Sequence, residues 1–120
     1  MSSLRPAEAL TAAMAELDRS GLNEGSSGNI SLRLADGGFL ITPSGVPAED
    51  LVPEHMVRCG DDGTPLAGGR PSSEWRFHRD ILARRPEVGA VVHAHPPYAT
   101  ALACLRRPIP PFHYMVAVAG

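Results

Sequence analysis

The chain has no lysine: all 11 of its basic residues are arginines. Carbonyl chemistry here cannot run through a lysine Schiff base, so a metal ion would have to polarise the carbonyl instead. Cysteine is scarce too. Cys59 and Cys104 lie far apart, without the C-x-x-C spacing of a zinc ribbon or a dithiol centre, and both are expected to be buried, reduced thiols. Neither sign of charge is in excess, since 13 acidic against 11 basic residues leave a net charge of −2. The cationic field that nucleic acid or an anionic membrane surface would require is missing. No apolar run approaches the ~20 residues of a spanning helix, and the opening "MSSLRPAEAL" lacks the continuous apolar stretch of a secretory signal. The expectation is a soluble, cytoplasmic protein with no nucleic-acid and no membrane partner. No G-x-G-x-x-G follows a strand, which argues against a doubly wound dinucleotide fold.

What is present suits one domain over residues 1–120, because 120 residues at 43% apolar composition can bury a core. In residues 6–20, Leu10, Met14 and Leu17 recur at helical spacing and Gly21 supplies a stop. "NISLRLADGGFLIT" alternates apolar and polar residues and turns at Asp36-Gly37, which predicts a hairpin. "HMVRCGDDGTPLAGG" reads as a strand, a turn and a Gly-rich loop. "PSSEWRFHRDILARRPE" predicts a helix with Ser72 or Ser73 as N-cap, apolar Phe77, Ile81 and Leu82, and Pro86 as terminator. "VGAVVHAH" predicts a buried strand, "PPYATALACLRR" a helix, and "FHYMVAVAG" a further strand. The order α-β-β-β-α-β-α-β around a hairpin implies an α/β fold whose sheet is mixed or mainly antiparallel. An apolar strand at residues 112–120, with no polar tail after it, leads to the expectation of a chain that is truncated or completed by another.

Three groups of residues carry candidate chemistry. His93 and His95 share one face of a strand if the segment stays extended, and two neutral imidazoles there suit zinc or a similar divalent metal. The plainer alternative is one satisfied polar residue at a strand end beside an exposed neighbour. A catalytic zinc takes three protein ligands. The candidates for the third are Glu74, His55, His78 and His113. A jelly-roll site would want a glutamate a few residues after H-x-H, where Pro96 to Thr100 stand instead. The second group is the serine pair, Ser72 and Ser73, whose hydroxyls suit an anion at a helix start or a simple N-cap. The third is two loops of small residues, with Gly28 and Asn29 before one strand and Ser44 and Gly45 after another. Each loop serves equally as an ordinary turn or as one wall of a phosphate cradle. Glu74, next to the serines, suits a general acid/base, a metal ligand or a partner for the helix dipole.

Taken together, "GLNEGSSGNIS", "ITPSGVP", "PSSEWRFH", "AVVHAH" and "IPPFHYM" resemble the class II aldolase/adducin family, and within it the L-fuculose-1-phosphate aldolase branch. The resemblance runs from about residue 8 to the last residue. It implies an α/β/α layered domain with a central, mainly antiparallel sheet, assembled as a homotetramer with active sites between subunits. It implies zinc-dependent retro-aldol cleavage of a phosphorylated ketose into dihydroxyacetone phosphate and L-lactaldehyde. By position, Gly28, Asn29, Ser44, Gly45, Ser72 and Ser73 would hold the phosphate. His93, His95 and Glu74 would hold Zn2+ or another divalent metal, with Glu74 also the catalytic acid/base. Tyr114 would reach the aldehyde end of the substrate in a neighbouring subunit. Family subunits are much longer and their third zinc histidine lies beyond residue 120, so this chain alone is expected to bind zinc weakly, and an active enzyme and an inactive remnant stand as equal alternatives for it. The alternatives on the same scaffold are an L-ribulose-5-phosphate 4-epimerase, another sugar-phosphate aldolase, and a non-catalytic adducin-like module or inactive fragment. The glutamate in "SSEW" fits the aldolases, because the epimerases typically carry an aspartate there.

Overall fold

The computed structural model describes residues 5–119. Residues 1–4 of the N-terminal segment and Gly120 of the final apolar segment lie outside the described residues. Helix α1 spans Pro6–Arg19. Its proline stands in the first turn, where no N–H is needed, and Leu10 and Met14, four residues apart, form its buried face. Gly21 follows the helix with φ +75°, as the expected stop. The predicted hairpin is present as β1 (Asn29–Arg33) and β2 (Phe39–Ile41), with Ser31 opposite Ile41 and Arg33 opposite Phe39.

Strands β3 (Val57–Cys59) and β4 (Pro65–Ala67) extend this hairpin on one side and β5 (Ala90–His93) on the other. The resulting order is β4-β3-β2-β1-β5, with every pairing antiparallel. Side chains alternate across the sheet, so each face has its own core. Ile30 joins Leu10, Met14, Leu51 and Met56 beneath α1. Phe39, Ile41, Val57 and Cys59 pack beneath helix α2 (Trp75–Arg84), which contributes Leu82. The fold is therefore the α/β/α layered, antiparallel arrangement expected. Helix α3 (Pro97–Cys104) and a short helix α4 (Met115–Ala119) follow. Among the described residues, no helix is long and apolar enough to cross a membrane.

Several expectations are corrected. The Gly-rich loop after β3 contains an additional exposed strand, β4. The H-x-H strand is not buried: among the described residues β5 is an edge strand paired to β1, and Val92 is 59% exposed. Residues Met115–Ala119 are helical rather than extended. Among the described residues they have no strand partner, and local bonds from Val116 N–H to the His113 carbonyl and from Ala117 N–H to the Tyr114 carbonyl take the place of a ladder. Cys59 is buried as expected, but Cys104 is exposed. Helix α2 begins after the serines, at Trp75, because Pro71 bridges Pro43 and the Ser72 N–H is held by the Thr42 carbonyl at 3.0 Å.

Helix α2 was expected to bury both Ile81 and Leu82, but only Leu82 faces the sheet; it is 4% exposed against 37% for Ile81. Leu82→Ala is therefore expected to cost about 2–5 kcal/mol and Ile81→Ala less than about 1 kcal/mol, read from urea unfolding midpoints.

Candidate metal and active site

The sheet sets up the site by parity. Residues 29, 31 and 33 of β1 face α2, as do 91 and 93 of β5, so Asn29 and His93 stand opposite each other on one face. Arg33 anchors α2 against that face by donating to the carbonyls of Leu82 at 2.7 Å, Arg85 at 3.0 Å and Val88 at 3.0 Å. A cation at a helix C-terminus is also favoured by the helix dipole. The other end of α2 carries Glu74 at its N-cap, where the Glu74 N–H donates to Ser72 Oγ at 3.3 Å.

Glu74, His93 and His95 thereby gather. Their ligand atoms all lie within 4.8 Å of one another. His93 Nε2 is 3.3 Å from Glu74 Oε2 and 3.0 Å from His95 Nε2. His95 lies two residues on, past the end of β5, and its ring meets His93 edge-on. His78 stands behind this cluster and is fully buried. Its Nε2 is 2.5 Å from Asn29 Oδ1 and its Nδ1 is 2.7 Å from Ser31 Oγ, while Asn29 Nδ2 donates to Glu74 Oε2 at 2.7 Å. Phe77 closes the side, stacked on His78 and edge-on to His93.

The three small-residue loops lie side by side. Ser44 N–H bonds the Arg70 carbonyl at 3.0 Å, and Thr42 N–H bonds the Ile30 carbonyl at 3.1 Å, which ties residues 42–44 to both neighbouring segments. Gly28 is required by packing, since a Cβ there would run into the Asn23 amide; Gly45 is required by its φ of +72°. The Asn29 side chain is already engaged with His78 and Glu74, which leaves one Nδ2 N–H for a substrate anion. Ser72 is buried and Ser73 exposed. A cleft of about 480 Å³ opens beside His95, along Glu24, Ser27, Thr100 and Cys104. Tyr114 is 75% exposed, lies against His113, and is no member of the cluster.

Residues 8–120 match the family described as Class II Aldolase and Adducin N-terminal domain. The chain belongs to that family. It is 61% identical over 100 residues to the 5-methylthioribulose-1-phosphate/5-deoxyribulose-1-phosphate aldolase of Rhodospirillum rubrum, covering 83% of this chain and 45% of the relative. It is 49% identical over 105 residues to the L-fuculose phosphate aldolase of Escherichia coli (strain K12), covering 88% of this chain and 48% of the relative. A solved L-fuculose 1-phosphate aldolase superposes with a TM-score of 0.86 at 37% identity, covering 98% of this chain and 57% of that one. The chain spans about half the length of the curated relatives it matches.

For a class II aldolase/adducin chain, the donor chemistry fits a divalent cation. One carboxylate oxygen and two imidazole nitrogens form a set that zinc accepts, with a coordination position left over. Sequence reading passes over Ser31 and offers His78 only as a possible metal ligand, whereas the structure sets both in a layer behind the donor cluster. Ser31 and His78 carried a signal nonetheless: Ser31 is two residues from Asn29 on a strand, and His78 is four residues from Glu74 along the helix, so each shares a face with a candidate site residue.

Burial pushes the His78 imidazole from 6.5 down to about 4, with His93 adding to the effect and Glu74 opposing it. Protonation therefore favours the unfolded chain. The stability that neutral His78 contributes is complete above about pH 6.5 and is lost as the pH falls toward 4, by about 3 kcal/mol in total. Urea midpoints are expected to fall more steeply between about pH 7 and pH 4.5 in the parent than in His78→Gln, and parallel slopes would contradict this assignment.

Proposed function

We propose that the protein cleaves a phosphorylated ketose by a retro-aldol reaction assisted by a divalent cation, releasing dihydroxyacetone phosphate and a small aldehyde. The observation that carries this reading is the Glu74–His93–His95 cluster beside three small polar loops, on a chain without lysine. For a substrate of the L-fuculose 1-phosphate type the aldehyde is L-lactaldehyde. A 5-deoxyribulose 1-phosphate type is the second reading, favoured by the 61% identity to the Rhodospirillum rubrum relative. Both substrates share carbons 1 to 3 and differ only beyond the bond that breaks. The cluster and loops address the shared carbons, and the cleft beside His95 receives the variable end.

Glu74, His93 and His95 would hold the cation, zinc by donor type. When bound, it supplies positive charge opposite the negative charge left behind as the carbon–carbon bond breaks, the role a Schiff base would otherwise fill. Gly28, Asn29, Ser44, Gly45, Ser72 and Ser73 hold the phosphate through amides and hydroxyls. Cleavage removes a proton from the C4 hydroxyl and places one on C3. Glu74, the carboxylate nearest both histidines, delivers the proton to C3 and removes it in the condensation direction. Tyr114, exposed and apart from the cluster, acts on the aldehyde end in a neighbouring copy. The exposed apolar side chains of Tyr98, Leu105, Phe112, Tyr114, Met115 and Val118 call for burial against further protein, and the homotetramer implied by the family resemblance is the assembly we assign to that role. Free thiols fit a cytoplasmic setting.

The test is release of dihydroxyacetone phosphate from each ketose 1-phosphate, with a recovered epimer indicating the epimerase instead. Chelation is expected to abolish cleavage and borohydride to leave it unchanged. Glu74→Gln is expected to lower kcat by about 100- to 10,000-fold. Activity that survives complete metal removal would overturn the proposal.

A further inference from the structure

We propose that Ser31 and His78 form a buried positioning relay that fixes the orientation of the Asn29 amide and thereby aims Glu74 Oε2 at the His93–His95 pair. Geometry and the burial of the ring together permit one assignment of protons. The carboxylate oxygen of Glu74 accepts only, so the Asn29 atom 2.7 Å away must be Nδ2. Oδ1 then faces His78 Nε2 at 2.5 Å, and because a carbonyl oxygen only accepts, Nε2 carries the proton. In a neutral ring this leaves Nδ1 bare, and the Ser31 hydroxyl, 2.7 Å away, donates to it. Neutrality follows from burial, which holds the ring uncharged well below neutral pH.

Reversing the amide would set Oδ1 against the Glu74 carboxylate and Nδ2 against an N–H, two repulsive contacts in place of two hydrogen bonds. His78, through Nε2–H, holds Asn29 in the amide orientation that Glu74 requires, Ser31 satisfies the bare Nδ1 from behind, and Asn29 presents an N–H to Glu74. None of Ser31, His78 or Asn29 belongs to the three-residue donor cluster. His78 is therefore a positioning residue. Its effect on the cation rests on the proposed function, whereas the proton arrangement does not.

The experiment has two parts, both on the protein as the parent chain and its variants. First, Zn2+ titration calorimetry compares the parent with His78→Leu, His78→Gln and His93→Ala. His78→Leu is expected to weaken Zn2+ binding by about tenfold or more, while His78→Gln, whose Nε2–H can replace the imidazole donor, stays within about threefold of the parent. A merely structural role predicts that Leu and Gln act alike, so parental affinity in His78→Leu, or equal loss in both, overturns the relay. Second, long-range 1H–15N correlation on the cation-free parent, which needs no variant to fold, is expected to show the His78 proton on Nε2 with Nδ1 bare. A proton on Nδ1 overturns the relay whatever the titration gives. A parent that takes up no Zn2+, or binds it as well after His93→Ala, overturns the cation site instead, and the His78 tautomer still decides the relay.

Discussion

A side-chain amide has one donor end and one acceptor end, and Asn29 must satisfy a carboxylate with the first and a buried imidazole with the second. That constraint sets much of the architecture around it. Asn29 has to sit on a strand next to the one that delivers His93, and α2 has to place Glu74 and His78 on the same side, one turn apart. β1 meets the first demand by pairing with β5 as well as β2. Arg33, four residues further along β1, meets the second by holding the far end of α2 through three carbonyls. One strand therefore anchors both ends of the helix that carries the candidate acid.

The two cores divide the labour. Beneath α1 the packing is mainly aliphatic, through Leu10, Met14, Ile30, Leu51 and Met56. Beneath α2, Phe39, Ile41, Val57, Cys59 and Leu82 make a similar layer, but toward the Asn29 end of β1 it gives way to Ser31 and His78, two buried polar groups that satisfy one another. Buried polar groups without partners are costly, so a pair placed here is tolerated only because the geometry closes. Hydrogen bonds in such surroundings are stiffer than in water, which suits a layer whose task is to hold direction.

How far all this could be read from the chain depends on whether the deciding interaction is local. The helical spacing of Leu10, Met14 and Leu17 and the alternation through residues 29–34 are local patterns, and α1 and the hairpin follow them. His93 and His95 were legible for the same reason, since i and i+2 on a strand share a face, although β5 ends at His93 and His95 joins the cluster from just beyond it. The five ordered segments made the family legible before any geometry was available. Where tertiary partners decide, pattern reading fails. The Val-rich segment after Tyr114 suits a strand by composition, but with no ladder to join it closes local bonds as α4. Cys104 has the usual character of a core residue, yet α3 turns it toward the open cleft. The serines look like helix caps, but pairing of residues 71–72 with residues 42–43 ties Ser72 to the neighbouring segment, the chain turns at residues 73–74, and the helix starts at Trp75. His78 reads from the sequence as one candidate for the third metal ligand; the structure places it behind the cluster instead, with partners 47 and 49 residues away, a separation that no periodicity reveals.

The site also changes character with depth. His78 and Ser31 are dry, Asn29 is nearly so, Glu74 and His93 are half-buried, and His95 is exposed at the rim of the cleft. Electrostatic interactions strengthen along that path toward the interior, as the effective dielectric falls. Orientation is therefore set where it can be rigid, and exchange of a cation, a proton or a substrate is left to the wet end, where desolvation costs less. A site built the other way round, with a flexible backing and a buried front, would hold Glu74 loosely while resisting entry of any charged ligand. The observed order avoids both, because the hydrogen-bond chain begins in the core and ends at the carboxylate that faces the two imidazoles.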